Sequence, residues 1–193
     1  MGKVIALMGG TYNPPHVGHL AMANYICEYC GVDELWLMVT PCNPFKVNDE
    51  LLDEHLRYMM VEAAVADYPK IKACDFECML ERPSYTYKTL AALRHAYPDD
   101  RFVLVVGADN WASFDKWRCP EEILSHHDVL IYGRPGVNVL SSALPSNVRM
   151  VDAPLLDVSS TFIRQSVAAG RDVRYFTHPM VWQIIVEQGL YRN

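Results

Sequence analysis

Two imidazoles three residues apart, His16 and His19, stand in the stretch Gly9–Leu20 (GGTYNPPHVGHL), directly after the apolar run Val4–Met8. The order reads as strand, glycine turn, proline-stiffened loop and helix, with both imidazoles where the helix begins. A helix N-terminus presents unpaired main-chain N–H groups and the positive end of the peptide dipoles, so it holds phosphate well. Gly9 and Gly10 let the backbone approach a ligand with no Cβ in the way, Pro14 and Pro15 fix the course of the loop, and Gly18 leaves room between the two rings. A histidine pair at this spacing also describes two core or surface histidines, or two metal ligands. Zinc needs three or four ligands, and no third lies nearby in sequence. The preceding strand and the double glycine favour a polyphosphate site, although neither the P-loop nor the dinucleotide fingerprint is present.

A second helix start has the same character. Val158-Ser159-Ser160-Thr161-Phe162-Ile163-Arg164 gathers three hydroxyls at one end, with Arg164 one turn further on. By itself this describes a plain cap with a solvated arginine; beside the histidine loop it suggests a triphosphate held between two helix ends. Trp111, Phe114 and Trp117 cluster just after Asp109. Aromatics so spaced suit a core, yet this segment is polar at Ser113, Asp115 and Lys116, which leaves a tryptophan face for a flat ring. Asp109 suits a helix cap or a partner for a ribose hydroxyl or base.

The elements that must position these groups alternate along the chain. Strands are expected at Val4–Met8, Leu35–Val39, Ile71–Phe76, Phe102–Val106, Val129–Tyr132 and Val148–Val151. Helices are expected from Leu20 to Cys30 with Gly31 closing, after an Asp53 cap, from Ser84–Thr86 to about Ala96, at Glu121–His126, from Ser159 to Gly170, and from His178 to Gln188. Residues 136–147 read as a polar surface loop. The pattern predicts an α/β, Rossmann-like fold: an open, mostly parallel sheet with helices on both faces. It is read as one domain over residues 1–193, with a short C-terminal helical portion from about residue 159. In such folds ligands bind at the carboxyl ends of strands. Gly9 and Gly10, Lys46, Gly107 with Asp109, and Arg134 each follow a different strand.

The totals narrow the classes. A formal charge of −6 lacks the basic face of a general nucleic-acid binder, so scarce cations in loops become notable. No stretch has the length of a membrane span, and the first apolar run is too short for a signal peptide. The six cysteines form no framework typical of a small secreted domain, which points to a reducing, cytoplasmic setting. The state of oligomerisation is left open, although the Trp182 region and residues 136–147 offer surfaces for a homo-oligomer.

With these residues in view, the chain resembles a known family. Gly9–Leu20 with its H-x-G-H is similar to the signature of the nucleotidyltransferase superfamily of adenylyl- and cytidylyltransferases, and Ser160–Arg164 to its S-S-T-x-I-R partner motif. Pro83-Ser84-Tyr85-Thr86, Val106-Gly107-Ala108-Asp109, Trp117, Arg134-Pro135-Gly136 and Gln188-Gly189-Leu190-Tyr191-Arg192 further resemble the bacterial nicotinate-nucleotide adenylyltransferases. That resemblance implies transfer of AMP from ATP to nicotinate mononucleotide, giving deamido-NAD and pyrophosphate. It implies ATP contacts from Gly9, Gly10, Thr11, His16, His19, Gly107, Asp109, Arg134, Ser160, Thr161 and Arg164, with His16, His19 and Arg164 as the catalytic set. It implies acceptor contacts from Lys46, Thr86 and Trp117, the tryptophan stacking on the pyridine ring. Where the family commonly has P-P-H-K, this chain has Asn43-Pro44-Phe45-Lys46, so a histidine beside the lysine is missing. Related acceptors in the same superfamily are nicotinamide mononucleotide and pantetheine phosphate, and a non-catalytic nucleotide binder would share the fold.

The implied chemistry asks little of acid or base groups. The attacking 5′-phosphate is largely ionised at neutral pH because its second pKa is about 6. Catalysis then rests on in-line alignment and on neutralising charge on the departing pyrophosphate. The expected Mg²⁺ travels on the ATP phosphates, with no protein metal cage.

Overall fold

The computed structural model describes residues 2–41 and 51–192. Cys42 and the Asn43–Lys46 stretch, including the candidate Lys46, lie outside the described residues.

Six strands form one sheet in the order β3-β2-β1-β4-β5-β6, where β1 is Val4–Gly10, β2 Glu34–Val39, β3 Ile71–Cys74, β4 Arg101–Gly107, β5 Asp128–Tyr132 and β6 Val148–Val151. Every pairing is parallel. The chain starts in the middle, builds outward through β2 and β3, then crosses back to lay β4 on the other flank of β1. That reversal opens a crevice at the carboxyl ends of β1 and β4, where an open α/β sheet binds ligands.

Parallel strands covered on both faces must be apolar throughout, and side chains of one strand serve two cores in turn. Ala6, Met8, Val103 and Val105 pack with Met22 and Ile26 of α1 (Val17–Tyr29), Met60 and Val61 of α2 (Glu54–Val65), Ile163 of α6 (Ser160–Ala168) and Val181 and Ile185 of α7 (Pro179–Glu187). Ile5, Leu7, Leu104 and Val106 face the other way, onto Leu90 and Leu93 of α3 (Thr86–Ala96) and Ile123 of α5 (Pro120–His126). The last two helices α6 and α7 thus complete the core of the first face, and α7 packs on α2. Gly31, at φ +71°, takes the left-handed step that ends α1.

Three local differences from the sequence pattern have physical causes. The first helix begins at Val17 rather than Leu20, so His16 is its N-cap residue and His19 lies in its first turn. The third strand ends at Cys74, because Asp75 (φ −110°, ψ 15°) turns the chain into a 3-10 turn, Phe76–Met79. Cys78 sits on that turn, and Glu77 is carried inward. After β4 the chain forms a one-turn helix α4 (Ala108–Trp111) and a 3-10 turn, Phe114–Lys116, where Phe114 joins the core.

Candidate functional site

The loop leaving β1 is held tightly. Tyr12 adopts φ +47°, an unfavourable conformation for a bulky residue, and its buried hydroxyl donates to the Met8 carbonyl at 2.6 Å. A Cβ on Gly10 would come within 2.9 Å of the Tyr12 ring, so only glycine fits there. The Tyr12 ring meets His19 edge-on, with centroids 5.0 Å apart. His19 stacks on His16 at 3.7 Å, and a Cβ on Gly18 would press to 3.1 Å from the His16 ring. The sequence reading of Gly18 as the spacer for two imidazoles therefore has a direct structural reason.

The two rings differ in their hydrogen bonding. His19 Nδ1 accepts from the His16 main-chain N–H at 3.2 Å, which places the proton of a neutral His19 ring on Nε2. His16 is 4% exposed, and its Nδ1 is buried without a hydrogen-bond partner. Burial, and then the charge of Arg134, push the His16 imidazole down to about 4, so it is uncharged at neutral pH. A neutral, incompletely bonded ring beside a cation suits an incoming phosphate oxygen.

The second helix end meets the first. Ser159 caps α6 by accepting from the Phe162 N–H at 3.1 Å. Ser160 Oγ donates to the Pro14 carbonyl at 2.8 Å, and an Arg164 Nη donates to the Asn13 carbonyl at 3.0 Å. Thr161 is exposed, its hydroxyl accepting from Arg164 at 3.5 Å. The start of α6 is thus bound to the loop that delivers His16.

These elements frame two clefts. A cleft of about 100 Å³ is lined by His16, Gly18, His19, Tyr132, Arg134 and Ser159 among others. A cleft of about 430 Å³ is lined by Gly9, Gly10, Thr86, Gly107 and Trp117, and Tyr132 borders both. Arg134 lies over the Tyr132 ring at 5.1 Å and reaches Asp109 at 3.6 Å, which puts Asp109 at the rim between them. A Cβ on Gly107 would collide with the Asp109 carboxylate. Thr11 lines neither cleft; its main-chain carbonyl accepts from the buried Arg57 guanidinium at 2.7 Å. Gly9, Gly10, Thr86, Gly107 and Trp117 line one cleft and His16, His19 and Arg134 the other; Ser160 and Arg164 line neither but are bonded to the loop at Pro14 and Asn13.

Sequence reasoning missed three contributors to the larger cleft. Tyr132 ends an apolar strand and carries no motif. Glu77 is buried, accepts from Thr89 Oγ1 at 2.8 Å, and lines the cleft with its carboxyl pushed up by burial. Arg118 lies over the Tyr85 ring at 5.4 Å on the opposite wall. Among the described residues no three His, Cys, Asp or Glu side chains come together as a metal site would require.

Comparison with known proteins agrees with this architecture. Residues 7–166, from β1 into α6, match the cytidylyltransferase-like family model, which sets the class. A probable nicotinate-nucleotide adenylyltransferase of Bacteroides fragilis is 48% identical over 94% of this chain and 90% of its own length. One of Flavobacterium johnsoniae is 42% identical over 98% and 99%. The chain belongs to the nicotinate-nucleotide adenylyltransferase family within that class. Among solved structures, the nicotinic acid mononucleotide adenylyltransferase of Plasmodium falciparum complexed with APC shares the fold. It has a TM-score of 0.83 at 21% identity, covering 98% of this chain and 97% of that one.

Proposed function

We propose that this chain transfers AMP from ATP to nicotinate mononucleotide, giving deamido-NAD and pyrophosphate, with all 193 residues acting as one domain in the cytoplasm. The relatives that carry this activity in their names match nearly the whole chain. The observation that carries the reading is the junction of a histidine-lined cleft and a tryptophan-lined cleft at Tyr132, beneath two helix ends.

In this reading the ATP phosphates lie in the smaller cleft. His16, His19 and the first-turn N–H groups of α1 bind them, and the unused donors of Arg164, with Ser160 and Thr161, close on them from α6. Arg134, Asp109, Gly9, Gly10, Thr11 and Gly107 border the ribose and base. The pyridine ring enters the larger cleft against Trp117 and Thr86, and Lys46 serves the acceptor phosphate. The helix α3 begins at Thr86, so its free N–H groups face a carboxylate favourably. No side chain need remove a proton, because the acceptor phosphate arrives ionised. Alignment can supply on the order of 7–11 kcal/mol of the barrier. The donors here are nitrogen-rich and complementary to phosphate oxygens, which fits a Mg²⁺ that reaches the site on ATP and neutralises the leaving pyrophosphate.

Pyrophosphate release, measured with ATP and a panel of nicotinate mononucleotide, nicotinamide mononucleotide and pantetheine phosphate, tests this directly. Turnover with a strong preference for the nicotinate nucleotide is expected. Equal kcat/KM for the two pyridine nucleotides would remove the specificity, and silence with every acceptor would remove the enzyme.

A further inference from the structure

Arg57, on α2, belongs to neither cleft and is 1% exposed. Its hydrogen bonds run to main-chain carbonyls: Nε to Leu52 at 2.9 Å, one Nη to Thr11 at 2.7 Å and Thr40 at 2.9 Å, the other Nη to Pro41 at 3.3 Å. Among the described residues none of the ion pairs includes it. Its hydrogen bonds among the described residues all go to carbonyls, while the carboxylates of Glu54 and Asp53 nearby only partly offset the cost of burying the charge. What the guanidinium adds is geometry: a flat fork with five fixed donors that can bond separate strands of backbone at once.

Three of the four partners lie on the two loops beside the clefts. Thr11 directly follows Gly9 and Gly10 and begins the turn that delivers His16 and His19. Thr40 directly follows β2, lines the tryptophan cleft, and donates its N–H to the Gly10 carbonyl at 2.9 Å.

We propose that Arg57 is a positioning residue for both substrates: one guanidinium fixes the histidine loop and the Thr40–Pro41 loop as a single unit, setting the distance between attacking and attacked phosphates. This deepens the adenylyltransferase reading and rests on it. Lysine keeps the charge, and its single nitrogen can at most replace the Nη that bonds Thr11 and Thr40, so it loses the fork that also holds Leu52 and Pro41.

The test compares full-length wild type with R57K and R57Q, measuring kcat, KM for ATP, KM for nicotinate mononucleotide, and Tm. R57K is expected to raise both KM values by about tenfold or more, as loss of charged hydrogen bonds implies, while melting stays cooperative. In R57Q, millimolar guanidinium chloride should lower both KM values toward wild type. A drop in Tm with both KM values unchanged would make Arg57 merely structural and overturn the proposal, as would movement of one KM alone. Should R57Q fail to fold, R57K decides the matter. If wild type turns over no acceptor, the adenylyltransferase reading has failed by itself. The same variants are then compared by calorimetric binding of a non-hydrolysable ATP analogue and of nicotinate mononucleotide, with Kd read in place of KM.

Discussion

The two helix ends differ in how they use their polar groups. The start of α6 has a hydroxyl cap in Ser159, and Ser160 and Arg164 are bonded to the carbonyls of Pro14 and Asn13. The start of α1 has no hydroxyl or carboxylate cap; two histidines stand there instead, His19 Nδ1 accepting from the His16 N–H, and the buried His16 Nδ1 lacks a partner. A helix end whose side chains are spent on the neighbouring chain is a support, and one that carries imidazoles beside an open cleft has donors for a ligand. The comparison teaches that α6 fixes the loop carrying His16. In the proposed reading the α1 end is the one that would receive the phosphates.

This asymmetry can be broken in graded steps. The largest effect is expected from His19→Ala, which removes a donor at the receiving end. Turnover should fall by about 10²–10³ with melting still cooperative, as deletion of one charge-stabilising donor does elsewhere. Unimpaired steady-state rates would remove the α1 end from the chemistry. Arg164→Ala should cost about tenfold to a hundredfold in kcat/KM and also lower Tm, because it releases the Asn13 carbonyl as well as a phosphate donor. A change in activity with no change in Tm would place Arg164 on the ligand alone and blunt the contrast. Trp117→Ala should raise the acceptor KM about tenfold through lost stacking while sparing the ATP KM. Equal damage to both would mean that the two clefts are not separate.

The smallest expected effect concerns pH. The folded value of His16, about 4, lies below its unfolded value of 6.5. The unfolded chain therefore takes the proton first as pH falls, so the native state loses stability between about pH 6.5 and 4 and keeps it above that window. In His16→Gln the urea midpoint should change less across that window than in wild type; parallel pH dependences would show that His16 is not held neutral by the fold.

The fold and the receiving helix end were legible because their signals are local. Apolar runs set the strands, Gly31 and Gly170 mark helix ends, and H-x-G-H carries its own spacer. The supporting contacts were not legible. Ser160 and Arg164 bond to carbonyls 146 and 151 residues away, and a main-chain carbonyl leaves no mark in the residue types. Arg57 is hidden for the same reason, since in sequence it is one more charged position on an amphipathic helix. Tyr132 gains its place only when β4 and β5 align Gly107 with it. The early end of β3 at Cys74, which carries Glu77 inward, turns on one backbone step at Asp75 that an apolar run conceals.

A crystal structure of the chain with a non-hydrolysable ATP analogue bears most directly on the claim that both helix ends serve one triphosphate. The account predicts phosphate oxygens within hydrogen-bonding distance of the His16 or His19 ring and of the Arg164 guanidinium in the same molecule of analogue. An analogue seated wholly in the tryptophan cleft, with neither helix end touching phosphate, would contradict it.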